Sequence, residues 1–170
     1  MADRVHDSGH AAIPAPYRRT QALGRQVPTT ALGDWYCKHV RAGSKQLVLF
    51  TSDRSLLCVV LPARGLTAVI NERLSEGLDA VLRALRVPPA AISRELLEMR
   101  ESLVAGTENR SVLGSMNDFA VAVRFRLQGR ENLPLVALAL ELARTPCKPL
   151  GWAFPAEVAA RALESGAVQQ

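Results

Sequence analysis

The sequence predicts a small α+β domain, and three patterns support that fold class. Two apolar runs, 46–51 and 56–61, flank the polar connector 52–55, which is typical of a β-hairpin with a short loop. The run 119–127 alternates large apolar residues with Ala and Arg, which favours a third strand. Four other segments repeat apolar residues at helical spacing. We therefore expect a small antiparallel sheet, made of the hairpin 46–61 and a strand at 119–127, packed with about four helices.

The first ordered element is expected to begin near Thr30. A turn signal precedes Trp35 and Tyr36, whose rings are expected to anchor this element to the core. The alternative is a stacking platform for bases beside Lys38 and Arg41.

Helices are expected on both faces of the hairpin, because its two strands are apolar at consecutive positions. An apolar stripe over 66–85 predicts a long amphipathic helix. Pro88 ends it, and a second helix follows and closes at Gly106. Two shorter helices are expected over 135–143 and 155–163.

The run predicted as the third strand has a competing interpretation. Met116, Phe119 and Val123 also fit a helical stripe. We prefer the strand because the alternation is strict over nine residues, and it would place Arg124 and Arg126 on one sheet face.

Length and composition are those of an ordinary soluble domain. The chain has 170 residues, of which 48% are hydrophobic and 22% are charged, enough for one core without disulfides or metals. Its longest apolar runs are far shorter than a membrane span, and the N-terminus lacks an apolar signal core. We therefore expect a cytoplasmic protein without a membrane partner.

Positive charge is concentrated near the N-terminus. The formal net charge is +5, and residues 1–45 hold seven Lys or Arg against three Asp. Residues 1–28 have hardly any apolar periodicity, so we expect a flexible basic arm before a single domain over 30–166. Such an arm gains affinity for nucleic acid by releasing counterions from phosphates, and the alternative is a solvated tail. The candidate phosphate contacts of the arm are Arg18, Arg19 and Arg25.

The three cysteines predict neither a metal site nor a nucleophile. Cys37, Cys58 and Cys147 are widely separated and no histidine lies at ligand spacing, so we expect no zinc and no other cofactor. Cysteines of this kind are usually small buried hydrophobes.

The segment 109–118 is the densest cluster of hydrogen-bonding side chains in the sequence. Arg110, Ser115, Asn117 and Asp118 could together bind a phosphate or position a nucleophile, although no histidine accompanies them as a base. The alternative is structural, with Asn117 and Asp118 closing a turn or capping the next element through bonds from side chain to backbone, while Gly114 supplies an unusual dihedral. No nucleotide-binding or hydrolase motif is present.

Three strings in this order resemble an uncharacterised family of small bacterial proteins, catalogued as a domain of unknown function: Gly33-Asp34-Trp35-Tyr36, Leu47-Val48-Leu49-Phe50 and residues 109–119. The resemblance covers residues 30–165, and its specific part is the Asn-Arg-Ser-x-Leu-Gly-Ser-Met-Asn-Asp string. The proteins of this family in turn resemble a domain of plasmid and transposon passenger proteins. The resemblance therefore implies a mobile-element or accessory-gene context. It implies no activity, cofactor or catalytic residue.

The expected function is that of a non-catalytic binding or regulatory protein that engages nucleic acid or a protein partner. One alternative is an enzyme that acts on a phosphorylated or nucleic-acid substrate through residues 109–118. Another is an antitoxin-like or inhibitor module that uses an apolar helix face. The oligomeric state is left open. The candidate binding residues are Arg18, Arg19, Arg25, Trp35, Tyr36, Lys38, Arg41, Arg110, Ser115, Asn117 and Asp118.

Overall fold

A three-stranded antiparallel sheet opens the described part of the chain. The computed structural model describes residues 30–66, 69–99 and 109–166. Strands β1 (Trp35–Ala42), β2 (Lys45–Ser52) and β3 (Cys58–Pro62) pair in the order β1-β2-β3. The helices that follow are α1 (Ile70–Ala84), α2 (Pro89–Met99), α3 (Arg110–Leu127), α4 (Leu135–Ala143) and α5 (Pro155–Ser165), with a 3-10 turn at Lys148–Leu150 between the last two.

The sheet lies between α1 and α3. Val59 and Leu61 project from one face of the sheet, and α1 approaches them so closely at Gly77 that an added Cβ would lie 2.6 Å from Cγ1 of Val59. Lys38 lies on the opposite face, in register with Leu49, and its ammonium reaches α3. Helix α4 packs beside β3, and α2 and α5 pack on the outer helices. The fold class predicted from the sequence is therefore confirmed.

The core is formed where these layers meet. Leu49 and Phe50 of β2 are fully buried on opposite faces of the sheet. Helix α1 buries Leu74, Leu78, Val81 and Leu82, and α3 buries Val112, Met116, Phe119, Ala120, Val123 and Leu127. Both stripes recur every three or four residues, so each helix presents one apolar face to the sheet.

The strand predicted over 119–127 is wrong, because these residues form the second half of α3. Phe119, Val123 and Leu127 suit both periods, but the helix also buries Ala120 and exposes Val121 and Phe125. The buried residues of this segment therefore follow helical spacing, and the apolar alternation in the sequence does not correspond to a strand. The third strand of the sheet is instead β1, which the sequence analysis treated only as an aromatic anchor.

Other elements agree with the sequence analysis. The predicted hairpin is present as β2 and β3, and the four predicted helices correspond to α1, α2, α4 and α5. Gly106, the expected end of the second helix, and the arm 1–28 lie outside the described residues. Within the described ranges, none of the helices combines the length and apolar character that crossing a membrane requires.

Residues 30–34 form a tight corner that joins the start of the sheet to α2. The Glu95 carboxylate of α2 is 1% exposed and accepts hydrogen bonds from Ala31 N at 2.8 Å and Leu32 N at 3.0 Å. Gly33 has a φ of +78°, and the next backbone N–H donates to Asp53 Oδ1 at 3.0 Å. We call residues 30–34 the N-terminal corner. Its backbone groups are held by side chains from two distant elements, as buried polar groups require.

Candidate functional site on strand β1 and helix α3

Positive charge is unevenly distributed over the described residues. Residues 35–52 and 109–152 together hold nine Lys or Arg and three Asp or Glu, which is a net charge of +6. The other described residues hold seven Lys or Arg and nine Asp or Glu. These two segments pack together, because α3 lies against β1 and β2 and α4 lies against α3. We call them the basic half of the molecule. The fold thus gathers cations that are far apart in the sequence.

Two polar contacts align β1 with α3. Lys38 Nζ donates to Asn117 Oδ1 at 2.6 Å, and Arg124 Nε donates to the backbone oxygen of Arg41 at 3.3 Å. We call the surface formed by Lys38, Asn117 and Arg124, together with Arg110 and Asp118, the β1–α3 face. It brings together three cations and one carboxylate. Strand alternation places the Arg41 side chain on the other face of the sheet, so only its backbone contacts α3.

The other cations of the basic half are partly neutralised. Arg126 and Arg130 both bind Glu141, at 3.3 Å and 2.8 Å. The hydrogen bonds from Arg130, assisted by Arg126, hold the pKa of Glu141 below its ordinary range. The Lys45 ammonium donates to the backbone oxygen of Glu131. These contacts consolidate the junction of α3, α4 and the β1–β2 turn.

An apolar stripe runs along the outer surface of α3. Val121 is 61% exposed and Phe125 is 76% exposed, and Leu113 lies two turns earlier at 38%. Residues four apart are neighbours on a helix, so Val121 and Phe125 form one exposed patch beside Asn117 and Arg124. This patch does not follow from the sequence expectation, because the strand predicted over 119–127 would have buried both side chains.

The segment 109–118 is the beginning of α3, so a turn in this segment is a wrong interpretation. The Asn109 side chain caps the helix by accepting from Ser111 N at 3.1 Å and Val112 N at 3.4 Å. Ser115 is buried and its hydroxyl donates to Ser111 O. Arg110, Asn117 and Asp118 are exposed on the helix, and Gly114 has an ordinary helical backbone.

The remaining candidate residues have different locations. Trp35 is 6% exposed and belongs to the core, and none of the described residues accepts a hydrogen bond from its Nε1. Tyr36 is half-buried beside it. Arg41 is exposed near the β1–β2 turn, where its Nε donates to Gly43 O at 3.4 Å, and its side chain lies on the sheet face opposite Lys38. The three arginines of the arm, Arg18, Arg19 and Arg25, lie outside the described residues.

The cysteines are poorly suited to nucleophilic chemistry. Burial raises the pKa of Cys58 to about 12 and raises the pKa of Cys37 and of Cys147. A thiol with a raised pKa is protonated at neutral pH and reacts slowly. In the described ranges, His, Cys, Asp and Glu form no group of three that could hold a metal ion.

A small cleft of about 180 Å³ separates β3 from α1 and α4. Only apolar side chains line it, among them Val59, Leu61, Val81 and Leu135. The cleft therefore offers no group that could orient a polar ligand or transfer a proton. The β1–α3 face is the richer candidate, and an enzymatic role for residues 109–118 stays a hypothesis.

Comparison with known proteins places the chain in a family but does not assign a function. No curated protein and no solved structure is significantly similar to it. A family described as a domain of unknown function, DUF6933, matches residues 15–158. The match begins earlier than the resemblance seen in the sequence and includes part of the predicted arm. The chain therefore belongs to the DUF6933 family, a domain of unknown function.

Proposed function

We propose that the protein is a non-catalytic nucleic-acid-binding protein that contacts the phosphate backbone through the β1–α3 face. The observation that carries this proposal is the separation of charge, with a net +6 on the basic half and two more acidic than basic residues elsewhere in the described chain. A one-sided cationic surface attracts polyanions and gains affinity by releasing their counterions.

The cations of this face are held on rigid elements. Arg124 uses Nε to bind the Arg41 backbone, and its terminal nitrogens make no hydrogen bond with the described residues. Arg110, Asn117 and Arg124 follow one another at intervals of seven residues, so they lie along one side of α3. Side chains on a strand and a helix keep a constant spacing, which suits repeated phosphates. Arg18, Arg19 and Arg25 of the predicted arm add phosphate contacts, and the resemblance to plasmid and transposon proteins supports a mobile-element context.

Removal of two cations from the β1–α3 face provides the test. We expect the double variant Arg110→Ala/Arg124→Ala to bind labelled oligonucleotides more weakly than the parent, irrespective of their sequence. Each lost phosphate contact reduces the slope of log affinity against log salt by about 0.7 to 0.9, so the slope should fall by about 1.5. Fluorescence anisotropy at several salt concentrations measures both quantities.

The matched control removes two exposed arginines from α1, outside the basic half. Arg73→Ala/Arg83→Ala makes the same change of charge at side chains that are 62% and 61% exposed. We expect this variant to keep most of the parent's affinity and the full salt slope. An equal loss in both double variants, or no binding by the parent at low salt, contradicts the proposal.

A second candidate function is favoured by the apolar stripe on α3. Two of its three members, Leu113 and Val121, are aliphatic and cannot stack on bases, and exposed apolar patches beside arginine are typical of protein interfaces. Val121 and Phe125 would then bind an acidic protein partner, as an antitoxin-like or inhibitor module does.

A photoreactive phenylalanine at position 125 tests this second function in cells. We expect a discrete cross-linked adduct that the additional substitution Val121→Asp suppresses. Position 97 is the control, because Leu97 is 64% exposed on α2, outside the basic half. Equal adducts from both positions, or an adduct that is insensitive to Val121→Asp, count against a specific partner.

A further inference from the structure

The connection between α4 and α5, residues 144–154, exposes a large aromatic ring. Trp152 is 66% exposed, whereas the chain's other tryptophan, Trp35, is 6% exposed. We call residues 144–154 the Trp152 loop. Every side chain from Pro149 to Ala156 is apolar, and none packs over the indole closely enough to bury it.

The backbone holds Trp152 in a conformation that tryptophan rarely adopts. Its φ is +67°, in the left-handed region where a Cβ is crowded. Two hydrogen bonds close the loop around it, from Trp152 N to Cys147 O at 3.0 Å and from Cys147 N to Ala153 O at 3.1 Å. Neither backbone conformation nor burial favours tryptophan at this position. Strained residues cluster at functional sites, and Trp152 differs from the equally strained Arg86 because it presents a large apolar ring to solvent.

The surroundings of the loop favour an anionic ligand. Arg144 and Lys148 are exposed, and the sequence contains no Asp or Glu between Glu141 and Glu157. The loop is fixed to α3 by a hydrogen bond of 3.0 Å from Arg126 to Thr145 Oγ1. Cys147 also lies near enough to Asp118 of α3 for the carboxylate to add to the raised pKa of its thiol, after burial. The loop therefore lies on the flank of the β1–α3 face.

We infer that Trp152 stacks on an unpaired base of single-stranded nucleic acid, while Arg144 and Lys148 contact the neighbouring phosphates. This inference rests on the proposed function and makes it more specific. An aromatic face paired with cations is the usual platform for single strands, because every base offers a π-face. Bases within a duplex are already stacked on their neighbours, so an indole on a short loop selects unpaired nucleotides.

The two tryptophans make the intrinsic fluorescence a direct test. The parent protein is titrated with an oligothymidylate of about 20 nucleotides, which exceeds the site size of typical single-strand-binding domains. We expect quenching of the exposed Trp152 emission and little quenching with a duplex of equal length. The Trp152→Phe variant should show no quenching, because its remaining Trp35 is buried.

Replacement of Trp152 by glycine separates binding from folding. Glycine adopts the left-handed backbone readily, so Trp152→Gly should melt no lower than the parent. Its affinity for the oligothymidylate should fall about tenfold, as expected for the loss of one base stack, while duplex affinity stays unchanged. Arg86→Gly is the control, because Arg86 also has a positive φ of 61° and is exposed outside the basic half.

The outcomes distinguish this inference from the proposed function. Binding of both oligonucleotides with equal affinity and without quenching of Trp152 overturns the inference but leaves the phosphate-binding face intact. Quenching by an acidic protein or an anionic vesicle, without a response to the oligothymidylate, also overturns it. Absence of any salt-dependent nucleic-acid binding overturns both.

Discussion

Replacement of Glu95 by alanine is expected to lower the free energy of unfolding by about 3 kcal/mol. The carboxylate is 1% exposed and accepts both the Ala31 and the Leu32 backbone N–H. Alanine would leave these two donors without their partner and create a cavity between α2 and the N-terminal corner. Urea denaturation monitored by circular dichroism measures the loss.

An exposed glutamate provides the control for this substitution. Glu76→Ala on α1 removes a side chain that is 68% exposed and that, among the described residues, forms an ion pair only with Arg73 of the same helix, at 3.4 Å. Its expected cost is below about 0.5 kcal/mol. Similar losses in the two variants would show that Glu95 does not hold the corner.

The Glu95 carboxyl also gives stability a pH dependence of predictable sign. Burial raises its pKa above the ordinary 4.5 and Glu98 adds to the shift, whereas the two backbone bonds and Arg54 act in the opposite direction. The folded protein therefore binds this proton more tightly than the unfolded chain does. The stability that this proton binding contributes is complete at pH values below the ordinary pKa. It is lost as the pH rises through the pKa of the folded state. Between these two pKa values, the free energy of unfolding of the parent should fall more steeply with pH than that of Glu95→Gln. Parallel curves of unfolding free energy against pH would contradict the raised pKa.

Replacement of Gly33 by alanine is the second large effect, at about 3 kcal/mol. A Cβ at this position would lie 2.1 Å from Asp53 Oδ1, and the φ of +78° is itself unfavourable for alanine. The clash would displace the carboxylate that accepts the Asp34 N–H. Thermal and urea unfolding of the variant measure the combined cost.

Gly43 separates the cost of the steric clash from the cost of the positive φ. It has a φ of +59° in the β1–β2 turn, but nothing lies within 4 Å of an added Cβ. Gly43→Ala should therefore cost only about 1 kcal/mol, from the backbone conformation alone. If Gly33→Ala costs no more than Gly43→Ala, the contact with Asp53 is not a constraint on the corner.

The sequence was sufficient to predict the elements that have a single clear period. The hairpin has consecutive apolar residues bounded by polar ones, and α1 has a long stripe at helical spacing. Helix α3 was misassigned because Phe119, Val123 and Leu127 satisfy both periods, and only packing decides whether Val121 and Phe125 are buried. Strand β1 lacks regular alternation, since three consecutive residues after Trp35 are only half-buried.

The candidate site was predicted only in part. Lys38 and Asn117 were both identified from the sequence, but their proximity depends on a fold that joins residues 79 positions apart. Along the sequence, positive charge is concentrated in residues 1–45. In the folded protein, the cations of part of that segment lie beside those of residues 109–152. Trp152 was not identified, because Gly-Trp-Ala-Phe indicates neither the exposure nor the φ of the tryptophan.

The position of the sheet, before all the described helices in the sequence, affects how the protein folds during synthesis. The three strands are complete once residue 62 has left the ribosome, but α3, which covers one face, ends at residue 127. At translation rates of about 5 to 20 residues per second, roughly 3 to 13 s separate these events. The nascent sheet therefore exposes Leu49 and its neighbours on that face throughout this interval. Nascent-chain chaperones have a defined apolar surface to bind, and a pause before α3 emerges would favour aggregation of unfinished chains.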